Sequence, residues 1–486
     1  MAEKPSVLDR FPSYKTDIGI EVHVQLNTAS KIFCSCSNAQ TDQANEHICP
    51  VCCGHPGVLP VLNKEVITSA IKAGLATNSK ISEKSIFARK HYFYPDLPKN
   101  YQITQDKLPI CTEGYLTIIK EDGTEKKIRL IRIHIEEDAG KNIHAAFSNE
   151  SFVDFNRTGT PLLEIVSYPD IESAQEAKAY LKALRSLVQA LGISTGNMEE
   201  GSFRADTNIS VRKKDCAELG TRCELKNINS FKFIGDAVEY EIERQIGVIE
   251  DGGKVKQQTL LWDTKNRVSH PMRSKEEAAD YRYFQDPDLP IIEVDHALIE
   301  SIKCNLPELP EQKCTRLQTQ YGLTSYEADI LIEDIALAHY YEQAAGHKSS
   351  KTLINWVLRD LMGYVKEHKI ELSDCKVTPK RIADLVALID QGIINTAAAQ
   401  LVFAEVAQTG SEPADVVKNK GLQQIGDVAE LEKVVQEIVA ANPQMVAQYK
   451  SGKDKLFGFF VGQAMQKTGG KGDPTKLSEL FKKYLA

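Results

Sequence analysis

The sequence predicts an α+β protein, with an antiparallel-sheet domain over residues 1–300 and all-α domains over 301–360 and 361–486. Three observations carry this. Several short stretches in the first part alternate apolar and polar residues with period two, the pattern of half-buried strands. One long helical stretch interrupts them. Beyond about Leu306 the period becomes helical, with prolines as punctuation.

"DIGIEVHVQL" (Asp17–Leu26) alternates strictly: Ile18, Ile20, Val22, Val24 and Leu26 face one way, and Glu21, His23 and Gln25 the other. "YLTIIK", "KIRLIRIHI" and "DTNISVR" show shorter versions of the same pattern. From about Glu172 to Leu191 the residues Ala177, Leu181, Leu184, Val188 and Leu191 fall at helical spacing. Asp170 or Ser173 suits the start of that helix, and Gly192 the position just past its end. Strands interrupted by one helix argue for α+β rather than an alternating βαβ series. Boundaries are expected near 292–306 and again near 345–370.

The chain has 486 residues, enough for two to four domains. Hydrophobic content of 42% beside 26% charged residues is that of an ordinary globular protein. No apolar run approaches the roughly 20 residues that span a bilayer. The polar, acid-containing "MAEKPSVLDRFPSY" lacks an apolar core, so a cytoplasmic protein is expected. A net charge of −8 argues against a generic nucleic-acid coat but allows a local basic patch.

Five of the eleven cysteines lie between Cys34 and Cys53. Cys34-Ser-Cys36 and Cys49-Pro-Val-Cys52 are two short-spaced pairs separated by a loop, as a tetrahedral structural zinc site requires. His47, Cys53 and His55 are possible substitutes for one ligand.

Acids and histidines cluster elsewhere. Glu21 and His23 share the polar face of one strand, and His134 and Glu136 repeat that geometry on another. Pairing of these two strands would gather them. Glu137 points to the opposite face unless the strand ends or bulges at the following Asp-Ala-Gly. A solvated strand face with incidental charges is the plainer reading. "MEEGSFRADTNISVR" adds Glu199, Glu200, Arg204 and Asp206, and "RTGTPLLEI" adds Arg157 and Glu164. "TRCELKNINSF" contributes Glu224, Lys226 and Asn227, and "DYRYFQDPDLP" Arg282, Tyr283, Asp286 and Asp288. Carboxylates suit Mg²⁺, while Arg, Lys and Asn suit the phosphates that such a metal bridges. There is no P-loop, no Rossmann glycine fingerprint after a strand and no nucleophile elbow. Two classes stand nearly level on the residues alone: a small-molecule ligase of glutamine-synthetase type, and a zinc-containing tRNA-binding scaffold.

"IGIEVHVQL", "PGVLPVLN", "RKHYFYPDLPKNYQITQ", "HIEEDAGK", "DFNRTGTPLLEIVS", "MEEGSFRADTNIS", "ELKNINSF" and "DYRYFQDPDLP" together resemble the B-type (GatB) subunits of the tRNA-dependent Asp/Glu-tRNA amidotransferases. "GFFVGQAMQKTGGKGDPTKL" resembles the YqeY-like tail of the same family. The resemblance covers nearly the whole chain. It implies a glutamine-synthetase-like antiparallel cradle that carries an inserted zinc loop at 34–53. It also implies phosphorylation by ATP of the Glu or Asp side chain on a misacylated tRNA, followed by amidation. Ammonia would come from a partner amidase (glutaminase), with a third, small polypeptide completing a heterotrimer. By the same resemblance, Glu21, His23, Glu136 and Glu137 surround Mg²⁺ and the amide-forming centre. Lys90 and Lys99 match family lysines near the mouth of the ammonia passage, where Glu136 or Glu137 would pair with one of them. Arg157, Glu199, Glu200, Arg204, Asp206, Lys226 and Asn227 are assigned to ATP and its metals. The tail lysines Lys453, Lys455, Lys467, Lys471, Lys476, Lys482 and Lys483 fit the tRNA outer corner, or else a solvated helix face.

Overall fold

The structure, a computed structural model, describes residues 6–144, 150–226, 228–272, 281–424, 428–451, 453 and 456–485. It divides into two compact units, residues 1–313 and 314–486.

The strands that position the site are β1 (Tyr14–Gln25), β2 (Ala88–His91), β3 (Tyr101–Thr104), β4 (Glu125–Glu137), β5 (Pro161–Ser167), β6 (Phe203–Lys213), β7 (Cys223–Lys226), β8 (Gln258–Asp263) and β9 (Val268–Pro271). A ten-stranded sheet runs β9-β8-β7-β6-β1-β5-β4, then Cys111–Thr112 and Lys80–Ile81, with Tyr115–Ile119 also on β4. Its pairings are antiparallel except β7 with β8. β2 and β3 form a separate small sheet with Phe284–Gln285.

The strict alternation of β1 becomes two faces. Ile18, Ile20, Val22 and Val24 are wholly buried in the core of the first unit. That core is shared with the helices α1 (Lys64–Ala76), α2 (Ala174–Ala190) and α3 (Phe231–Glu250). The opposite, polar face holds the candidate site. Ser173 rather than Asp170 caps α2, accepting the Glu176 amide at 3.1 Å. Asp170 instead accepts two bonds from the Arg129 guanidinium, at 2.8 and 2.7 Å. Gly192 follows the helix with φ +67°, the left-handed conformation a helix end favours.

The structure decides two points about the strands that the sequence left conditional. β1 and β4 are not neighbours, because β5 lies between them. The ladder of β4 against β5 runs regularly through Glu137, which opposes Pro161; its irregularity falls at Val166/Ser167 instead. With no bulge at Glu137, period two sends Glu136 and Glu137 to opposite faces. Gly140 explains the turn that follows. An added Cβ there would lie 2.9–3.1 Å from the Asp154 and Asp96 carbonyls and the Thr158 hydroxyl.

The second unit is helical. One apolar core extends from Leu317 to Val417 and a second from Leu431 to Leu485. The expected division at 360/361 therefore falls inside one shared core, where Trp356–Leu361, a π-helical stretch, runs directly into Met362–His368. Phe460 is wholly buried in the tail core, with Phe457 and Phe459 against it. No helix among the described residues is long and apolar enough to cross a membrane.

Candidate functional site

Register builds the site. His23 on β1 lies opposite Glu164 on β5 and Arg204 on β6, and Glu164 lies opposite His134 on β4. Arg204, His23, Glu164 and His134 thus form one row across four strands, with Glu136 two residues along from His134 on the same face. His23 Nε2 is 3.4 Å from Glu136 Oε1 and 3.5 Å from Glu164 Oε2. His134 Nε2 is 3.7 Å from Glu136 Oε2 and 3.2 Å from Glu164 Oε2. Thr104 on β3 donates to Glu136 at 3.2 Å. His134 is 2% exposed and Glu136 3%, so these are not solvated charges on an outer face.

Without a metal the cluster balances its own charge. Burial opposes protonation of His23, yet the bonds to Glu136 and Glu164 outweigh it and raise the imidazole to about 10. His134 behaves alike and rises to about 9, with Glu164 its largest favourable partner. Burial disfavours the Glu136 carboxylate, but the two histidines hold it down at about 2. Burial also opposes ionisation of Glu164, and His134 above all holds that carboxyl well below its ordinary range.

The ligand atoms of His23, Glu136 and Glu164 all lie within 4.8 Å of one another. Two carboxylates and one imidazole in that space suit a divalent cation that displaces the imidazolium proton. Lys90 on β2 is largely enclosed, its ammonium 4.9 Å from the Tyr281 ring centre. Burial opposes its charge, but Glu136 and Glu164 help to raise its pKa.

Further along the same face, Glu21 lies opposite Asp206 and accepts from Asn208 at 3.0 Å. Lys226 bridges Asp206 at 2.5 Å and Glu224 at 3.3 Å. Burial works against the Lys226 charge, but Asp206 and Glu224 raise it well above the ordinary lysine range. Thr259 bonds Glu224 at 3.0 Å. Arg204 donates to Asp138 at 2.8 Å, and Gln25 does so at 2.9 Å. Arg157 directs two donors to the carbonyls of Ala139 and Gly140, at 2.9 and 2.6 Å. Glu199 and Glu200 are exposed in the turn before β6, their amides on the Asn197 side chain. Asn227 and the tail residue Lys455 lie outside the described residues.

Glu137 does not join the Mg²⁺ set expected for it. It is buried on the other face, in an ion pair with Lys99, and accepts the Ile103 amide at 2.9 Å. Glu164 takes its place in the cluster. Its signal was present in the sequence as the lone charge in the apolar run "PLLEIVS", a position where an acid is buried and needs a partner. Glu164 was named among the acids but not assigned to the metal, whereas Asp138, which receives Arg204 and Gln25, was given no role by sequence reasoning.

The four cysteines Cys34, Cys36, Cys49 and Cys52 bring their sulfurs within 4.8 Å of one another. Cys49 and Cys52 are 3.9 Å apart, close to the tetrahedral edge of about 3.8 Å implied by metal–sulfur bonds of about 2.3 Å. Cys52 is lowered to about 4, first by its bond with Cys34 and against burial, with Lys31 contributing. His47 turns its ring to the Ala39 carbonyl at 2.9 Å, and neither it nor Cys53 nor His55 belongs to the group. Cys34, Cys52 and Gly159 share a small cavity with Lys99 and Glu137.

A sheet whose polar face gathers acids, histidines and cations around a candidate cation site points to an enzyme domain, here joined to a helical unit. Residues 16–300 match the GatB/GatE catalytic domain family, and residues 339–485 match the GatB domain family. A protein of Geotalea daltonii is 52% identical over 476 residues, covering 97% of this chain and 99% of that protein. One of Myxococcus xanthus is 51% identical over 469 residues, 96% and 98% of the two chains. One of Carboxydothermus hydrogenoformans is 49% identical over 477 residues, 97% and 99%. All three are named as the B subunit of aspartyl/glutamyl-tRNA(Asn/Gln) amidotransferase. The chain belongs to this family.

Proposed function

We propose that this chain is the component of an ATP-dependent amidotransferase on which the side-chain carboxylate of Glu-tRNA(Gln) or Asp-tRNA(Asn) is phosphorylated and then amidated. The products are Gln-tRNA(Gln) and Asn-tRNA(Asn) for protein synthesis in the cytoplasm. The observation that carries this reading is the convergence of His23, Glu136 and Glu164 on a buried, cation-rich sheet face.

A carboxylate is a poor acylating agent because oxide is a poor leaving group; phosphorylation supplies a good one. Mg²⁺ held by His23, Glu136 and Glu164, with Glu21 beside them, supplies charge neutralisation on the phosphates when bound. Lys90 keeps its proton facing those carboxylates and is placed to balance an incoming anion. Arg157, Arg204 and Lys226 orient the nucleotide phosphates, and the Asp206 carboxylate would serve their metal, each already held by a neighbour. Glu199 and Glu200, in the turn before β6, would face the nucleotide's metal, and Asn227, next in sequence to Lys226, completes the phosphate reading.

The Lys99–Glu137 pair sits on the far side of β4, where a buried ion pair is suited to gate ammonia arriving unprotonated from the partner glutaminase. A third, small polypeptide completes the heterotrimer, the cradle is of glutamine-synthetase type, and the helical tail holds tRNA through its lysines. Zn²⁺ in Cys34, Cys36, Cys49 and Cys52 is structural, since four thiolates leave no open position.

The test uses the chain with its two partner polypeptides and ammonium in place of glutamine. ADP release and amide formation are followed on Glu-tRNA(Gln) and Asp-tRNA(Asn) separately, with and without Mg²⁺. Amidation that needs ATP, Mg²⁺ and charged tRNA, and is lost in Glu136→Gln, is expected. ADP release with free glutamate or aspartate, independent of tRNA, would make the chain a small-molecule ligase and overturn the reading.

A further inference from the structure

Lys31 is wholly buried, a rare state for lysine unless it is paired. Its ammonium donates to the carbonyls of His47 at 2.8 Å and Phe155 at 3.4 Å, and reaches Cys52 Sγ at 3.7 Å. Among the described residues no carboxylate pairs with it. A buried ammonium needs a counter-charge, and the group in reach is the cysteine cluster. Four thiolates around a divalent ion carry two net negative charges, so one lysine offsets half of that excess.

The same lysine joins two segments. The loop before Cys49 is stitched to residues 153–156: Asn45 bonds Asp154 at 2.9 Å and the Val153 carbonyl at 3.0 Å, and the His47 amide bonds Asn156 at 2.8 Å. The Ile32 amide bonds the Gly159 carbonyl at 2.9 Å. Lys31 spans this seam from the cysteine side to Phe155, two residues before Arg157. On the other side of the loop, an added Cβ at Gly54 would meet the Lys99 side chain at 2.6 Å.

We propose that Lys31 is a positioning residue of the cysteine cluster, the built-in counter-charge that retains its metal and locks the metal-loaded loop onto residues 153–159. This rests on the reading of the cluster as a zinc site. No other side chain on the seam supplies a positive charge to the sulfurs at this distance among the described residues.

Zinc content and zinc release to a competing chelator are measured on the assembled complex carrying wild-type chain, Lys31→Met or Lys31→Arg. The wild type holds about one zinc per chain, Lys31→Met retains it about 10–100-fold more weakly, and Lys31→Arg recovers most of the loss. Wild-type retention in Lys31→Met overturns the proposal while leaving the zinc reading intact; a wild-type chain without zinc overturns both. A second measurement needs no variant. An amine-reactive reagent with peptide mass spectrometry should find Lys31 protected in the zinc-loaded wild type and labelled at least about tenfold faster once zinc is stripped. Unchanged protection after stripping refutes the lock.

Discussion

Replacing Glu164 by glutamine isolates one charge in the proposed cation site. Its Oε2 stands 3.5 Å from His23 Nε2 and 3.2 Å from His134 Nε2, on a side chain mostly shielded from solvent. The amide keeps shape and one acceptor oxygen but removes the negative charge. Charge centres about 4 Å apart at an effective permittivity of about 20 interact by about 4 kcal/mol. Lost from the transition state, that amounts to roughly a thousandfold in kcat. The assay is single-turnover amidation of Glu-tRNA(Gln) by the heterotrimer with ammonium, at rising Mg²⁺, with zinc content and circular dichroism as controls for folding. A fall of about 10²–10³-fold with zinc retained is expected. Turnover within about threefold of wild type in a folded Glu164→Gln protein would refute the placement of Glu164 at the cation.

Three other outcomes follow from the same geometry. In metal-free protein, His23 and His134 are raised from 6.5 to about 10 and about 9, so their stabilisation is complete below pH 6.5 and lost as pH rises through 9–10. Glu136, lowered from 4.5 to about 2, contributes above pH 4.5 and loses that contribution as pH falls toward 2. Denaturant midpoints of the stripped chain should therefore decline from about pH 6.5 to about 9.5, and a double His23→Gln/His134→Gln variant should flatten that decline. Because one ligand is an imidazole, Mn²⁺ should support ADP release at lower concentration than Mg²⁺, by at least about tenfold; equal half-saturation would remove His23 from the metal. Gly140→Ala forces a Cβ against atoms 2.9–3.1 Å away and should destabilise the first unit by about 1–3 kcal/mol, read by thermal unfolding.

Much of the fold was legible because local periodicity carries it. The alternation of Ile18, Ile20, Val22 and Val24 named the buried face of β1, and helical spacing named α2. The choice of cap was not legible, because Asp170 and Ser173 are equally good capping residues and only the position of Arg129 removes Asp170 from the contest. In the candidate site, His23, Glu136 and Glu21 announced themselves as charges on a strand's polar face. Glu164 did not, since its role depends on which strand lies between β1 and β4.

Strand faces, cysteine pairs and family membership could all be read along the chain, because each depends on residues close together or on the order of motifs. The insertion of β5 between β1 and β4, the turning of Glu137 toward Lys99 and the burial of Lys31 against Cys52 came from long-range packing. Side-chain parity is a local property of a strand, fixed by the backbone that carries it. Strand order and the charge balance of a buried cluster are set instead by partners more than a hundred residues apart, as with Lys31 and Phe155.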